Sequence, residues 1–252
     1  MDYYICVDIG GTSIKFGVIK SNMDFITVGE TPTEAKLGGP AIIKKVQDIA
    51  KNLLKQYSAA GICVSTAGMV DCVKGRITYA APLIPEYAGT EIKKMLEEGL
   101  HLPCEVENDV NCAGLAEASM GAAKGSSIAV CLTIGTGIGG ALIINGKILH
   151  GFSGSACEVG YMHLPGGEFQ ELGAGSVLVR KVEQCKGFKP GSIDGKYVFT
   201  QAWAGDEACI RAIDEMTEVL GMGIANICYI VNPEVVVLGG GIMSQKDYLE
   251  NR

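Results

Sequence analysis

The sequence contains no run of basic residues, and its 252 residues carry a formal net charge of −7. Nucleic-acid binding normally leaves a basic footprint, so we expect no nucleic-acid partner. No apolar stretch approaches the roughly 20 residues of a transmembrane helix, and we expect no membrane partner. Residues 1–4 also lack the basic segment that opens a signal peptide.

Paired cysteines are missing as well. The ten cysteines include no CxxC spacing and no cysteine–histidine cluster with the spacing of metal ligands. Several lie in apolar patterns typical of strands or helices, and we expect these to be buried thiols: Cys6, Cys63, Cys131 and Cys228. Unpaired buried thiols indicate a reducing compartment, which predicts a cytoplasmic protein without a disulfide framework.

Apolar residues make up 48% of the chain, which indicates a globular protein with a sizeable core. The first apolar run, residues 3–8, ends in Asp8, and a Gly-Gly-Thr turn at 10–12 leads into a second strand at 14–19. Glycines let backbone amides approach a phosphate closely, and Asp8 could hold a magnesium ion directly or through water. The same pattern also fits an ordinary hairpin with a tight turn.

Strands and helices then alternate. Residues 41–57 have the apolar spacing of an amphipathic helix, and residues 60–66 form a buried strand that ends in a turn. This alternation predicts an α/β domain. Residues 71–90 have an irregular pattern, which fits either a substrate loop or a simple connection.

A second glycine-rich turn, residues 135–140, follows the apolar strand 128–134 and matches G-x-G-x-x-G. A dinucleotide-binding site would need a helix next, but Asn145-Gly146 between two apolar runs predicts a hairpin instead. A third glycine cluster, 238–241, ends the strand 235–237 after a long helical segment at 206–230. A repeat of strand, phosphate-binding turn and strand suggests two related domains that face a nucleotide.

The segment Glu107–Asn111 lies between a short apolar run and a stretch of helical composition. A carboxylate at the end of a strand is well placed to accept a proton from a substrate hydroxyl, which is one interpretation of Asp109. The other interpretation is that Asn108 or Asp109 only caps the helix.

Together these segments resemble the ROK family of sugar kinases and sugar-responsive repressors, within the hexokinase–actin–Hsp70 ATPase superfamily. The matching segments are collinear over nearly the whole chain: Asp8-Ile9-Gly10-Gly11-Thr12 with Lys15, Glu107–Asn111, Gly135–Gly140, Gly154–Gly160 and Leu238–Gly241. The resemblance implies an α/β, two-lobed, actin-like ATPase (ribonuclease H-like) fold with the nucleotide cleft between the lobes. It predicts an N-terminal lobe at 1–112 and a C-terminal lobe at 113–252.

The resemblance also assigns roles. Asp109 would be the catalytic base, ATP the co-substrate, and magnesium a cofactor held near Asp8. Sugar-binding residues would be Gly68, Asn108, Glu158, Tyr161 and Glu171, although Glu158 and Glu171 could instead be surface carboxylates. ATP-binding residues would be Asp8, Gly10, Gly11, Thr12, Lys15, Gly135, Thr136, Gly137, Gly139, Gly239, Gly240 and Gly241.

Departures from the family pattern are informative. Tyr161 stands where many members have a histidine, and residues 164–171 lack the cysteines that bind a structural zinc, so we expect no zinc site. His163 is read as structural. Leu83 replaces an asparagine found in many members, and with Tyr161 it leaves the sugar open. The sequence ends soon after Gly241, so we expect a truncated copy.

These features predict an ATP-dependent kinase that phosphorylates the 6-hydroxyl of a hexose or β-glucoside, and we expect a homodimer. The zinc-free pattern favours glucose or a β-glucoside, with an N-acetylmannosamine kinase as the alternative. A sugar-sensing regulator of the same family is the other alternative. The first strand begins at about Tyr3, which leaves no room for a helix-turn-helix, and the net charge is negative.

Overall fold

The computed structural model describes residues 2–81 and 84–250, so Leu83 lies outside the described residues. Contacts divide the chain into two compact units. Unit 1 comprises the chain up to Cys112 together with Gly151–Ser155, and unit 2 comprises Ala113–His150 and the chain from Ala156 onward.

Unit 1 is built on a five-stranded sheet of order β3-β2-β1-β4-β7. Strands β1, β2 and β3 are antiparallel neighbours, whereas β4 and β7 extend the sheet in parallel with β1. The elements of this part of the chain are β1 (Tyr3–Ile9), β2 (Ser13–Lys20), β3 (Phe25–Pro32), α1 (Gly39–Leu54), β4 (Ala59–Thr66), β5 (Met69–Asp71), β6 (Arg76–Tyr79), α2 (Ile92–Leu100), β7 (Cys104–Asn108) and α3 (Asp109–Met120), which continues into unit 2.

Alternating side chains determine which face of this sheet is packed. In β1, Ile5, Val7 and Ile9 are buried, while Cys6 and Asp8 between them are only half-buried. The buried side chains share a core with the apolar stripe of α1. The predicted strands 3–8, 14–19 and 60–66 and the predicted helix 41–57 are therefore confirmed, within a few residues at their ends.

Two expectations for unit 1 were wrong. Residues 71–90 are not uniformly irregular, because β5 and β6 form a hairpin closed by Gly75 at φ +59°. Cys63 is exposed rather than buried, because it faces away from the core between buried Ile62 and Val64. Of the other expected buried thiols, Cys131 is buried, whereas Cys6 and Cys228 are half-buried.

Unit 2 contains a four-stranded sheet of order β10-β9-β8-β13, in which β13 is parallel to β8 and the other pairs are antiparallel. Its elements are β8 (Ile128–Ile134), β9 (Ile138–Ile144), β10 (Lys147–Ile148), β11 (His163–Leu164), β12 (Gly167–Glu168), α4 (Phe169–Gly173), α5 (Gly175–Lys186), α6 (Gly195–Trp203), α7 (Glu207–Val231), β13 (Val235–Gly239) and α8 (Lys246–Leu249).

The long helix predicted at 206–230 is α7, which buries Ile213, Leu220 and Ile227 on one face. Asp206 caps it by accepting a hydrogen bond from the Cys209 amide at 3.0 Å. Gly223 is required where α7 packs on Phe169, because a Cβ there would overlap the aromatic ring. Within the described part of the chain, no helix is both long and apolar enough to cross a bilayer.

Candidate functional site

The junction of β7 and α3 supplies the central residues of the candidate site in unit 1. Strand β7 ends at Asn108 and α3 begins at Asp109, as predicted. Asn108 Oδ1 accepts hydrogen bonds from the amides of Val110 at 2.9 Å and Asn111 at 3.1 Å. These bonds satisfy amides that have no partner inside the helix, so the capping interpretation is correct for Asn108.

The amide group of the same asparagine fixes two further atoms. Asn108 Nδ2 donates to the carbonyl of Gly68 at 3.0 Å and to Asp109 Oδ1 at 2.9 Å. Gly68 has φ +98°, and a Cβ at this position would lie 2.7 Å from the carbonyl oxygen of Tyr79. Only glycine fits at position 68 without strain. Because Asn108 binds both the Gly68 carbonyl and Asp109, it holds the turn after β4 close to the Asp109 carboxylate.

Glu107 supports this arrangement from the preceding position. Its Oε1 accepts hydrogen bonds from the Asn108 amide at 2.8 Å and from Asn111 Nδ2 at 2.9 Å. Asn111 is buried at 9% exposure, so this bond lies inside the unit. Glu107 had no predicted role, because it lies on β7 while Asn111 lies on α3, and no spacing rule links residues across such a junction.

Asp109 is exposed to solvent, yet the pKa of its carboxyl group is raised above the ordinary value of 3.8. Desolvation by the surrounding protein is the largest cause, and the negative charge of Asp8 adds to it. Hydrogen bonds from the Val110 amide and the Asn108 side chain act in the opposite direction, because they stabilise the carboxylate. A carboxylate raised in pKa and fixed in orientation is suited to accept a proton.

Asp8 and the first glycine turn lie in the same unit. Ser65 Oγ on β4 donates to Asp8 Oδ1 at 2.7 Å, and Lys15 on β2 is the register partner of Asp8. The turn is closed by a hydrogen bond from the Gly10 amide to the Ser13 carbonyl at 3.0 Å. Gly11 and Thr12 at its tip are exposed, as is the side chain of Lys15.

A pocket of about 500 Å³ in unit 2 brings together glycine motifs that are about 100 residues apart in the sequence. Gly135 and Thr136 line it from the turn between β8 and β9, and Gly241 lines it from the chain after β13. The turn is tied to the start of α5, because Ser176 Oγ donates to the Thr136 carbonyl at 2.6 Å. The Gly135 amide donates to the Gly137 carbonyl at 2.9 Å.

Three further glycines of these motifs, Gly139, Gly239 and Gly240, occupy different parts of the backbone. Gly240 has φ +93°, and a Cβ there would lie 2.7 Å from the amide nitrogen of Ile134. Gly239 ends β13 beside Thr133. Gly139 does not lie in the turn, because β9 begins at Ile138 and Gly139 is paired with Thr133 inside the ladder.

Sequence reasoning missed the cations of this pocket. One face of α5 and the start of α6 line it, and they contribute Arg180 and Lys196. In the described residues neither side chain forms an ion pair. Lys196 lies in the first turn of α6, whose N-terminus is capped by the carboxylate of Asp194. Asp194 and Glu183 line the pocket together with the two cations. No sequence motif indicated these two residues, because they lie on helices outside the glycine turns.

The segment expected to bind sugar, Gly154–Gly160, is divided by the unit boundary: Gly154 and Ser155 belong to unit 1, and the residues from Ala156 onward belong to unit 2. Glu158 is half-buried and precedes the 3₁₀ helix Val159–Tyr161. The short β11–β12 hairpin reverses the chain, so that the Phe169 amide donates to the Met162 carbonyl at 2.8 Å and α4 packs on this 3₁₀ helix. Tyr161 and Glu171 are exposed on these neighbouring elements, and His163 is exposed on β11. Their roles in sugar binding stay predictions.

Comparison with known proteins gives consistent matches. The profile of the ROK family matches residues 4–252. An uncharacterized protein of Clostridium perfringens is 52% identical over 247 residues, which cover 98% of this chain and 84% of the relative. A beta-glucoside kinase of Listeria innocua is 33% identical over 250 residues, covering 96% of this chain and 83% of the relative.

A solved structure shows the same likeness. The ROK family glucokinase from Streptomyces griseus, in complex with glucose and AMPPNP, superposes with a TM-score of 0.83 at 26% identity. The match covers 96% of this chain and 84% of that one. The prediction of a mixed α/β, actin-like ATPase fold is confirmed by this likeness.

Proposed function

We propose that this chain, which belongs to the ROK family and is a sugar kinase of that family, transfers the γ-phosphate of ATP to the 6-hydroxyl of a hexose or β-glucoside. The observation that carries the proposal is the geometry of Asp109. Its carboxylate is fixed by Asn108, exposed to solvent, and raised in pKa. Proton acceptance from a hydroxyl needs this combination.

The proposed chemical step requires one proton acceptor and side chains that position the sugar. Asp109 orients the sugar hydroxyl and takes its proton as the hydroxyl oxygen attacks the γ-phosphorus and the bond to ADP breaks. Phosphoryl transfer is mostly positioning and charge neutralisation, so the protein needs only one well-placed base. Asn108 would combine the helix cap with a contact to the sugar. The sugar-binding roles of Glu158, Tyr161 and Glu171 in unit 2 stay predictions.

ATP would occupy the 500 Å³ pocket of unit 2. Its size is within the range typical of small-ligand sites. Backbone amides around Gly135, Thr136 and Gly137 would face the phosphates, and Gly239–Gly241 would add contacts from the end of β13. The phosphate-binding role of Gly10–Thr12 and Lys15 in unit 1 stays a prediction. Arg180 and Lys196 would pair with the phosphates and offset the carboxylates of Glu183 and Asp194, which also line the pocket.

Asp8 has the donor chemistry for magnesium, because it offers carboxylate oxygens to a hard cation. Ser65 engages one of these oxygens and orients the group. The charge of Asp8 also raises the pKa of Asp109, which indicates that the two carboxylates are close enough to repel each other. A magnesium ion held by Asp8, directly or through water, would relieve that repulsion and neutralise charge on the phosphates.

The proposal is tested by coupled ADP release with ATP and magnesium across a panel of sugars. Glucose and cellobiose represent the favoured classes, and N-acetylmannosamine, fructose and allose represent the alternatives. We expect turnover that depends on glucose or cellobiose. Turnover only with N-acetylmannosamine would replace the proposed substrate class, and a folded full-length protein with no sugar-dependent turnover would contradict kinase function altogether.

A further inference from the structure

Two cysteines on the sheet of unit 1 are direct neighbours on adjacent strands. Cys6 on β1 is the register partner of Cys63 on β4, and these strands are parallel. Register partners on adjacent strands direct their side chains to the same face of the sheet, so the two thiols are neighbours there. Adjacent strands lie about 4.8 Å apart, which is within the Cα separation of roughly 4.4–6.8 Å that a disulfide spans.

The pair is accessible from solvent at one end. Cys63 is exposed, whereas Cys6 is half-buried beside it. Both lie on the face opposite the core of unit 1, because their neighbours along each strand are buried. A small oxidant can therefore reach Cys63 without local unfolding.

The same face continues to the candidate catalytic region. Two residues further along each strand, the Ser65 hydroxyl donates to Asp8 Oδ1 at 2.7 Å. The Cys6–Cys63 pair and the Asp8–Ser65 pair are thus consecutive cross-strand pairs on one face of the sheet, about 7 Å apart along the strands. A covalent link between Cys6 and Cys63 would therefore act on the two strands that position Asp8 and Ser65.

We propose that Cys6 and Cys63 form a redox-active dithiol, which a hydroperoxide converts reversibly into a disulfide between β1 and β4. Neither residue has a role in the proposed phosphoryl transfer, so the inference does not depend on that function.

The reaction balances in two steps. The Cys63 thiol releases its proton, the thiolate sulfur attacks the terminal oxygen of the hydroperoxide, and an S–O bond forms as the O–O bond breaks. The leaving alkoxide (or hydroxide, from hydrogen peroxide) takes up the released proton and departs as the alcohol (or water). The Cys6 sulfur then attacks the Cys63 sulfur, so that the S–S bond forms, the S–O bond breaks and water leaves with the proton of Cys6. The two electrons lost by the thiols reduce the hydroperoxide.

The chemistry of the individual thiols supports this order of events. Interaction with the Cys6 side chain lowers the pKa of the Cys63 thiol, against the opposing effects of burial and of the Glu105 charge. Nearby Cys112 has its pKa raised to about 12, by burial first and then by the charge of Glu107, and is a poor competitor.

The test is oxidation of the full chain by hydrogen peroxide, followed by alkylation and mass spectrometry of a non-reduced digest. We expect a cross-linked peptide pair containing Cys6 and Cys63, the loss of two of the ten free thiols, and their return with dithiothreitol. Cys6→Ser should stop at a sulfenic acid on Cys63 that dimedone traps. Cys63→Ser should abolish both products.

Cys185→Ser is the matched control, because Cys185 is exposed but lies on α5 without a register partner, and it should leave the cross-link unchanged. Free, alkylated Cys6 and Cys63 after peroxide treatment of the wild-type chain would overturn the proposal. So would a link from Cys63 to Cys112 or to Cys63 of a second copy. The wild-type result needs no variant, so failure of a variant to fold does not affect the outcome.

Discussion

Replacing Asp109 with asparagine separates proton acceptance from every other role of this position. The Asp109→Asn side chain keeps its shape and can still accept the hydrogen bond that Asn108 Nδ2 donates to Oδ1. It loses the negative charge and the capacity to take a proton. A positioned general base contributes about 10²- to 10⁴-fold in rate, equivalent to roughly 3–5 kcal/mol of barrier. We expect kcat to fall by that factor.

The stability of this variant should change little. The raised pKa of Asp109 means that the folded state binds the proton more tightly than the unfolded chain does. The stability linked to that proton is present below the unfolded value of 3.8 and is lost as the pH rises through the folded pKa. Asparagine has no such loss, so at neutral pH the variant should melt within about 2 °C of the wild type or slightly above it.

The assay is kcat with saturating ATP and sugar, measured beside a thermal melt of each protein. Asp48→Asn is the matched control, because Asp48 is an exposed carboxylate on α1 that pairs only with Lys44 at 3.2 Å in the described residues. Its kcat should equal that of the wild type. An Asp109→Asn enzyme that retains more than about a third of wild-type kcat would refute the catalytic role, since the weakest usual general-base effect is near 10².

Two further substitutions test the glycine turn and the cap of the long helix. Gly240→Ala places a Cβ against the Ile134 backbone at a residue with positive φ, which costs about 1–3 kcal/mol of strain. The variant should therefore have a Tm lower by about 3–9 °C and weaker ATP binding. Gly241→Ala meets no atom within 4 Å and should keep Tm; equal melts for the two variants would contradict the packing argument. The pKa of Asp206 is lowered to about 2, chiefly by the hydrogen bond from Lys186. The charge of Asp206 therefore stabilises the fold above the pKa of the unfolded chain, 3.8, and this stabilisation is lost as the pH falls toward 2. Asp206→Asn keeps the cap, so its Tm deficit should shrink on acidification, and a deficit independent of pH would show that the charge is unimportant.

Local patterns predicted the parts of the fold that depend on neighbours in sequence. The turn at 10–12, the Asn145-Gly146 hairpin and the strand-to-helix junction at Asp109 appear as expected, because glycine, asparagine and apolar periodicity act over a few residues. Strand β3 and the β5–β6 hairpin were not predicted. Strands β5 and β6 are short, and β3, although eight residues long, contains no buried residue. Pairing with a neighbouring strand therefore stabilises these strands more than their own composition does.

Residues defined only by tertiary contacts were less accessible to sequence reasoning. Arg180 and Lys196 join the pocket of unit 2 from two helices, and no spacing rule links those helices to Gly135. Cys63 looked like a core residue because the run around it is apolar. The strand period nevertheless turns it to the face opposite Ile62 and Val64, so an alternation count would have separated it from the buried set.

Capping and catalysis at the β7–α3 junction are complementary rather than competing interpretations. Asn108 caps α3 through Oδ1, while its Nδ2 orients the carboxylate of Asp109 and holds the carbonyl of Gly68. The Val110 amide is shared between Asn108 and Asp109, whereas the Asn111 amide donates to Asn108. If Asp109 accepted both bonds by itself, the helix amides would stabilise its charge and depress its pKa, which would weaken it as a base. Because Asn108 takes that role, desolvation and the charge of Asp8 outweigh the hydrogen bonds, and the pKa of Asp109 rises. The neutral cap therefore allows an exposed carboxylate at a helix N-terminus to remain a competent proton acceptor.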